Sequence, residues 1–162
     1  VGHYSNTGAL LWASFGASGR RFGSALCRVG DLDGDGFADL AIGSPGNATS
    51  SPFGLCATYR SLNAQVQFQV QGGNQTDVGA ALVALGDVDG DGHVDVACGE
   101  PGYSGGSPGS GRIRLLRSNQ SGSAAQIWSN GSFATSAGAG RSLGNAGDLF
   151  ARRRVDGGEQ GS

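Results

Sequence analysis

The chain has 162 residues, a formal net charge of −2, 15% charged residues and 32 glycines. This length suits a single domain, the near-neutral balance excludes the basic face of a nucleic-acid binder, and no apolar run approaches the ~18 residues a membrane span needs. Glycine far above average usage, without a Gly-X-Y period, implies many tight turns and favours an all-β fold of short strands.

In chain order, residues 1–20, with Tyr4, Leu10, Leu11 and Trp12, read as the end of a preceding structural unit. A strand is predicted over 24–29, where small and apolar residues alternate, followed by an aspartate-rich loop and a second strand over 39–43 carrying Leu40 and Ile42. A third is predicted over 54–60. A fourth spans 64–70, where Val66, Phe68 and Val70 alternate with glutamines, the period-2 signature of a half-buried strand. The same order then recurs, with strands over 79–85, 95–98, 111–116 and 124–128. No amphipathic helix longer than two turns is expected anywhere.

The recurrence is an internal repeat. Asp31 and Asp87 are 56 residues apart, and the match extends from Arg21-Phe22-Gly23-Ser24-Ala25-Leu26 against Asp77-Val78-Gly79-Ala80-Ala81-Leu82 to Gly43-Ser44-Pro45-Gly46 against Gly99-Glu100-Pro101-Gly102. The predicted units are 21–76 and 77–137, with a third beginning over 138–149, where Ala139-Gly140-Arg141-Ser142-Leu143-Gly144 leads to Gly147-Asp148-Leu149. A third aspartate loop should follow there. Arg152, Arg153 and Arg154 stand in its place, so no cation site is expected at Asp148, and 150–162 read as an atypical, disordered tail. Four strands per unit of about 60 residues is the layout of a β-propeller blade.

Eight of the eleven aspartates fall in two loops, at positions 1, 3, 5 and 9 of each. Carboxylates this close repel one another unless a counter-charge is present, and oxygen ligands at this spacing suit Ca²⁺ better than Mg²⁺, which demands stricter octahedral geometry. The first candidate site is Asp31, Asp33, Asp35, the carbonyl of Phe37, and Asp39; the second is Asp87, Asp89, Asp91, the carbonyl of His93, and Asp95. Gly36 and Gly92 permit the sharp turn. An EF-hand would need Glu at position 12 and flanking helices; that position holds Ile42 in one loop and Cys98 in the other. The competing reading is a metal-free Asx turn, in which the aspartates accept backbone N–H groups.

Phe-Gly at Phe22-Gly23, then GD-x-D-G-D-G-x-x-D from Gly30 and from Gly86, then Gly-Ser-Pro or Gly-Glu-Pro, resembles the FG-GAP repeat of integrin α-subunit propellers. The resemblance covers about residues 1–149. Val78 replaces the second phenylalanine, and Gly-Ser-Pro or Gly-Glu-Pro stands where the family has Gly-Ala-Pro. It implies an all-β chain: a partial propeller of four-stranded antiparallel blades in an incomplete ring, whose neighbouring blades lie outside this chain, with one Ca²⁺ in each of the two loops. It also implies an extracellular or cell-surface setting and a non-catalytic role in adhesion or recognition of a protein or glycan ligand. The alternative is an accessory propeller region of a secreted hydrolase, phospholipase-like or other.

Catalysis within the chain is not expected, since no nucleophile elbow, zinc motif or phosphate loop is present. Phe22 reads as a plug between blades and Gly23 as a site of close backbone approach. Trp12 and Trp128 read as packing between blades. Cys27, Cys56 and Cys98 show no metal-ligand spacing and read as buried thiols, with one bridge open but its pairing undetermined.

Overall fold

The computed structural model describes residues 1–46, 53–88, 90–105, 107–117, 125–126 and 135–146. Those residues form antiparallel sheets and no helix. A two-stranded hairpin, β1 (Gly2–Tyr4) with β2 (Leu10–Ala13), comes first. A four-stranded meander follows: β3 (Ala25–Arg28), β4 (Leu40–Ser44), β5 (Phe53–Tyr59) and β6 (Val66–Asn74), hydrogen-bonded in chain order. A second meander, β7 (Leu82–Gly86), β8 (Asp95–Glu100), β9 (Arg112–Arg117) and β10 (Ala125–Gln126), repeats it. This is a partial β-propeller of four-stranded blades with no closed ring. Of the strand predicted over 124–128 only Ala125–Gln126 is described, and Trp128, Asp148 and the 150–162 tail lie outside the described residues.

Alternation along the strands gives each blade two apolar faces. Leu40, Ile42, Ala57 and Tyr59 share one face of the first blade and pack against Val1, Trp12 and Phe22. Phe22 meets Tyr59 edge-on at 6.1 Å, so it fills the gap between the N-terminal hairpin and the first blade. Cys27, Ala41, Cys56 and Phe68 share the opposite face and meet Val78, Val96, Cys98 and Leu116 of the second blade. Burying a side chain such as Val96 or Leu116 fully contributes about 2 kcal/mol, so the contact between blades forms a continuous core. The fourth strand runs past the predicted 70 to Asn74, pairing with Phe53. Gly72 allows this, because a β-carbon there would lie 2.6 Å from Val78 Cγ2.

The spacing of the blades is set by glycine meeting glycine. Gly79 has φ +86°, and its amide donates to Gly99 O of its own blade at 3.1 Å. Its α-carbon sits on the previous blade, where an added β-carbon would lie 3.0 Å from Gly43 Cα and 2.9 Å from Ser44 N. Gly140 repeats the arrangement against Gly99, with corresponding distances of 2.8 Å to Gly99 Cα and 2.9 Å to Glu100 N. Gly79 and Gly140, at the position Gly23 holds in the first repeat, therefore seat on the glycine two residues before Pro in the preceding repeat.

The second blade carries a buried ion cluster that the sequence did not announce. Glu100 is fully buried and accepts Arg114 Nε at 2.7 Å, Arg114 Nη2 at 3.1 Å, and Arg112 Nε. The Arg112 guanidinium stacks 3.7 Å over the Tyr103 ring. In the first blade the equivalent positions hold Ser44, Leu55 and Ala57. The acid and both bases thus appear together or not at all, as burial of a charge requires.

Replacing Gly79 with Ala adds backbone overlap to the cost of a left-handed residue, whereas Gly8, at φ +82° with nothing within 4 Å, carries only the second cost. Gly8→Ala should lower stability by about 1 kcal/mol and Gly79→Ala by about 3 kcal/mol or more. Urea unfolding midpoints measure both, and equal losses would refute the inter-blade contact.

Candidate metal centre

The first aspartate loop is closed at its base by two backbone bonds, Val29 N to Asp39 O at 3.0 Å and Asp39 N to Gly30 O at 2.5 Å. β3 and β4 therefore hold positions 1 and 9 side by side. Gly34 and Gly36, at φ +77° and +88°, reverse the chain between them. Carboxylate oxygens of Asp31, Asp33 and Asp39 come within 4.8 Å of one another. Asp35 does not join this group: its Oδ1 accepts the Phe37 amide at 2.8 Å. The Phe37 ring is largely exposed and lines a cavity of about 350 Å³ with His3, Arg28, Ala38, Asp39, Leu40 and Ser61.

Each converging carboxylate also has protein partners. Asp31 Oδ1 accepts the amides of Gly34 (2.8 Å) and Asp35 (3.1 Å), and its Oδ2 accepts that of Gly36 (2.8 Å). These amides, Gly36 foremost, hold the Asp31 carboxyl below the usual carboxylate range. Asp39 is buried at 1% exposure; its Oδ1 accepts Ser61 N at 3.0 Å, and its Oδ2 accepts Leu32 N at 3.0 Å and Gln67 Nε2 at 2.8 Å. Burial nevertheless pushes its pKa up, and the Leu32, Gln67 and Ser61 donors offset part of that rise. Asp33 Oδ2 lies 3.1 Å from Arg60 Nε, a partly exposed ion pair.

In the metal-free chain the two shifts have opposite linkage signs. The Asp31 contribution to stability is present above its unfolded pKa and fades as pH falls through the folded value. The Asp39 contribution is present below its unfolded pKa and fades as pH rises through the folded value.

The second loop repeats the backbone pattern. Asp87 Oδ1 accepts Gly90 N at 2.6 Å and Asp91 N at 3.1 Å, and its Oδ2 accepts Gly92 N at 2.8 Å. Asp91 Oδ1 accepts His93 N at 2.9 Å, and Asp95 Oδ2 accepts Val88 N at 2.9 Å. Asp95 is fully buried, like Asp39. Asp89 lies outside the described residues.

The donor set suits a hard cation. It consists of carboxylate oxygens with no thiol or imidazole, gathered around a glycine-lined turn. The amide bonds to Asp31 are also those of an Asx turn, so the loop has the features of both readings at once. Two partners escaped sequence reasoning, Arg60 and Gln67. The first had a signal: Gly54 and Arg60 bracket the third strand of one repeat as Gly111 and Arg117 bracket that of the next. Gln67 had none beyond its place on the polar side of an alternating strand.

Comparison with known proteins agrees with this architecture. The FG-GAP repeat family model matches residues 22–54 and 78–116. Integrin alpha-PS5 of Drosophila melanogaster is 33% identical over 93 residues, 53% of this chain and 9% of that protein. Integrin alpha-4 of Xenopus laevis is 34% identical over 89 residues, 51% of this chain and 8% of that protein. Integrin alpha-X of Mus musculus is 30% identical over 129 residues, 72% of this chain and 10% of that protein. The chain thus spans about a tenth or less of the curated relatives it matches. Among the described residues no helix is long and apolar enough to cross a membrane.

Removing the Asp39 carboxylate strands two buried amides and the Gln67 side chain even without metal. Asp39→Ala should therefore cost about 2–3 kcal/mol in chelator, while Asp33→Ala, which loses a partly exposed ion pair and one exposed bond from the Asp35 amide at 3.3 Å, should cost under about 1 kcal/mol. Urea titration in chelator separates them, and equal effects would contradict the division of roles. With its two matched segments and its blade topology, the chain carries FG-GAP repeats.

Proposed function

We propose that this chain is a non-catalytic, calcium-binding segment of an extracellular propeller that serves adhesion or recognition of a protein or glycan. The observation that carries the calcium part is the convergence of Asp31, Asp33 and Asp39 within 4.8 Å, in a loop whose sequence recurs at 87–95. In the first loop Asp31, Asp33, Asp39 and the Phe37 carbonyl would hold the ion, with Asp35 joining after exchange of its bond to the Phe37 amide. In the second loop Asp87, Asp89, Asp91, Asp95 and the His93 carbonyl are the equivalent set. The bound ion supplies positive charge that cancels carboxylate repulsion. The loop residues do the rest: the buried ninth aspartate ties strands one and two of the blade, and the exposed first and third close the turn over it. Similarity to integrin α subunits supports the adhesive and extracellular parts of this reading.

In this reading Arg60 is the metal-free counter-charge of Asp33 and competes with the ion. Added Ca²⁺ should raise the melting temperature of the natural chain by several degrees. Asp33→Ala should abolish the first loop's share of that rise while melting almost unchanged in chelator. Arg60→Gln should tighten Ca²⁺ binding at the first loop severalfold, read by competition with a chromophoric chelator. An equal loss of melting temperature for Asp33→Ala with and without Ca²⁺ would defeat the proposal.

A further inference from the structure

The three cysteines lie far apart in sequence yet meet at one place. Cys56, on β5, points from the first blade toward the second; it stands opposite Gly43 and Val70 in the sheet, on the face shared with Ala41 and Phe68. Cys98, on β8, stands opposite Leu82 and Arg114 on the face of the second blade turned toward the first. Both are fully buried in the same apolar cluster, and their thiols are within hydrogen-bonding reach of each other. Cys27, on β3, packs at the edge of that cluster and is partly exposed. All three are free thiols in this structure.

Two thiols meeting across a packed interface differ from two thiols scattered through a core. Val or Ala would fill either position with equal apolar character, whereas the pair places sulfur against sulfur between separate sheets. We propose that Cys56 and Cys98 are a covalent modification site: a disulfide that staples adjacent blades, formed during folding in an oxidising setting and leaving Cys27 free. Forming the S–S bond removes one proton and one electron from each thiol. A small-molecule disulfide such as oxidised glutathione accepts both and is cleaved to two thiols. The exchange precedes closure of the blades, because the neighbouring Cys98 thiol and burial suppress the Cys56 thiolate in the folded chain. Cys27 is left out by its place at the edge of the cluster, and once the chain is folded burial raises its thiol to about 11. The bridge would close a loop of about 40 residues, long enough for a substantial stabilising effect. The inference does not depend on the cation loops.

The arginines place the three cysteines in different tryptic peptides, 22–28, 29–60 and 61–112. The full chain, with Cys27→Ala, Cys56→Ala and Cys98→Ala variants, is refolded in a reduced/oxidised glutathione buffer, alkylated and digested without reduction. The expected result is a linked 29–60/61–112 pair with peptide 22–28 alkylated, retained in Cys27→Ala and absent from the other two variants. The bridged chain should also unfold at a urea midpoint about 1 M or more above its reduced form. Three alkylated peptides from the natural chain, or a link through peptide 22–28, would overturn the proposal whether or not any variant fails to fold.

Discussion

Mutual repulsion of carboxylates is the constraint on which the rest of this structure depends. The blade needs strands one and two joined by a short loop, and the loop brings Asp31, Asp33 and Asp39 within 4.8 Å. Like charges at that separation must be countered by donors, by a cation or by protonation. The chain uses donors on all three: backbone amides surround Asp31, Ser61, Leu32 and Gln67 surround Asp39, and the Asp35 amide reaches Asp33 at 3.3 Å. Among the described residues Arg60 is the cation paired with the group, and it reaches Asp33 alone. A divalent cation satisfies all three carboxylates together, which is why the calcium reading is favoured over a self-sufficient Asx turn.

The loops act on a scaffold whose spacing is fixed elsewhere. Gly79 against Gly43, and Gly140 against Gly99, bring successive repeats to backbone contact, and the apolar cluster of Val29, Val78, Val96 and Leu116 fills the space behind them. Position 9 of each loop lies at the start of β4 or β8, or just before it, so the site and the interface share strands. Any change in the loop that shifts the register of β3 against β4 would carry into the packing between blades. The buried Glu100 cluster shows how much one blade can depart from its neighbour while keeping this frame.

Much of this was legible in the sequence, and the physical reasons are plain. The sheet order and blade layout follow from period-2 alternation, as at Val66, Phe68 and Val70, and from a repeat that aligns without gaps from Phe22 to Gly46. The FG-GAP resemblance follows from the loops and the glycines flanking them. What was not legible depends on contacts between distant strands. Gln67 reaches Asp39 only because β6 lies two strands from β4. Arg112 and Arg114 look like solvated positions on an alternating strand until Glu100 is seen opposite the first and bonded to both. Asp35 was grouped with its neighbours by spacing alone, while the local amide of Phe37 draws it away. The meeting of Cys56 and Cys98 required knowing how one blade stacks on the next.

The reading of these loops as cation sites rests on Ca²⁺ binding to the folded chain. Its most direct test is calorimetric titration of the chelated, folded chain with Ca²⁺, with Mg²⁺ as the control. Saturation near two equivalents of Ca²⁺ is expected, with Mg²⁺ binding much more weakly. Absence of Ca²⁺ binding in a sample shown by circular dichroism to be folded β-sheet would contradict it and leave the loops as metal-free turns.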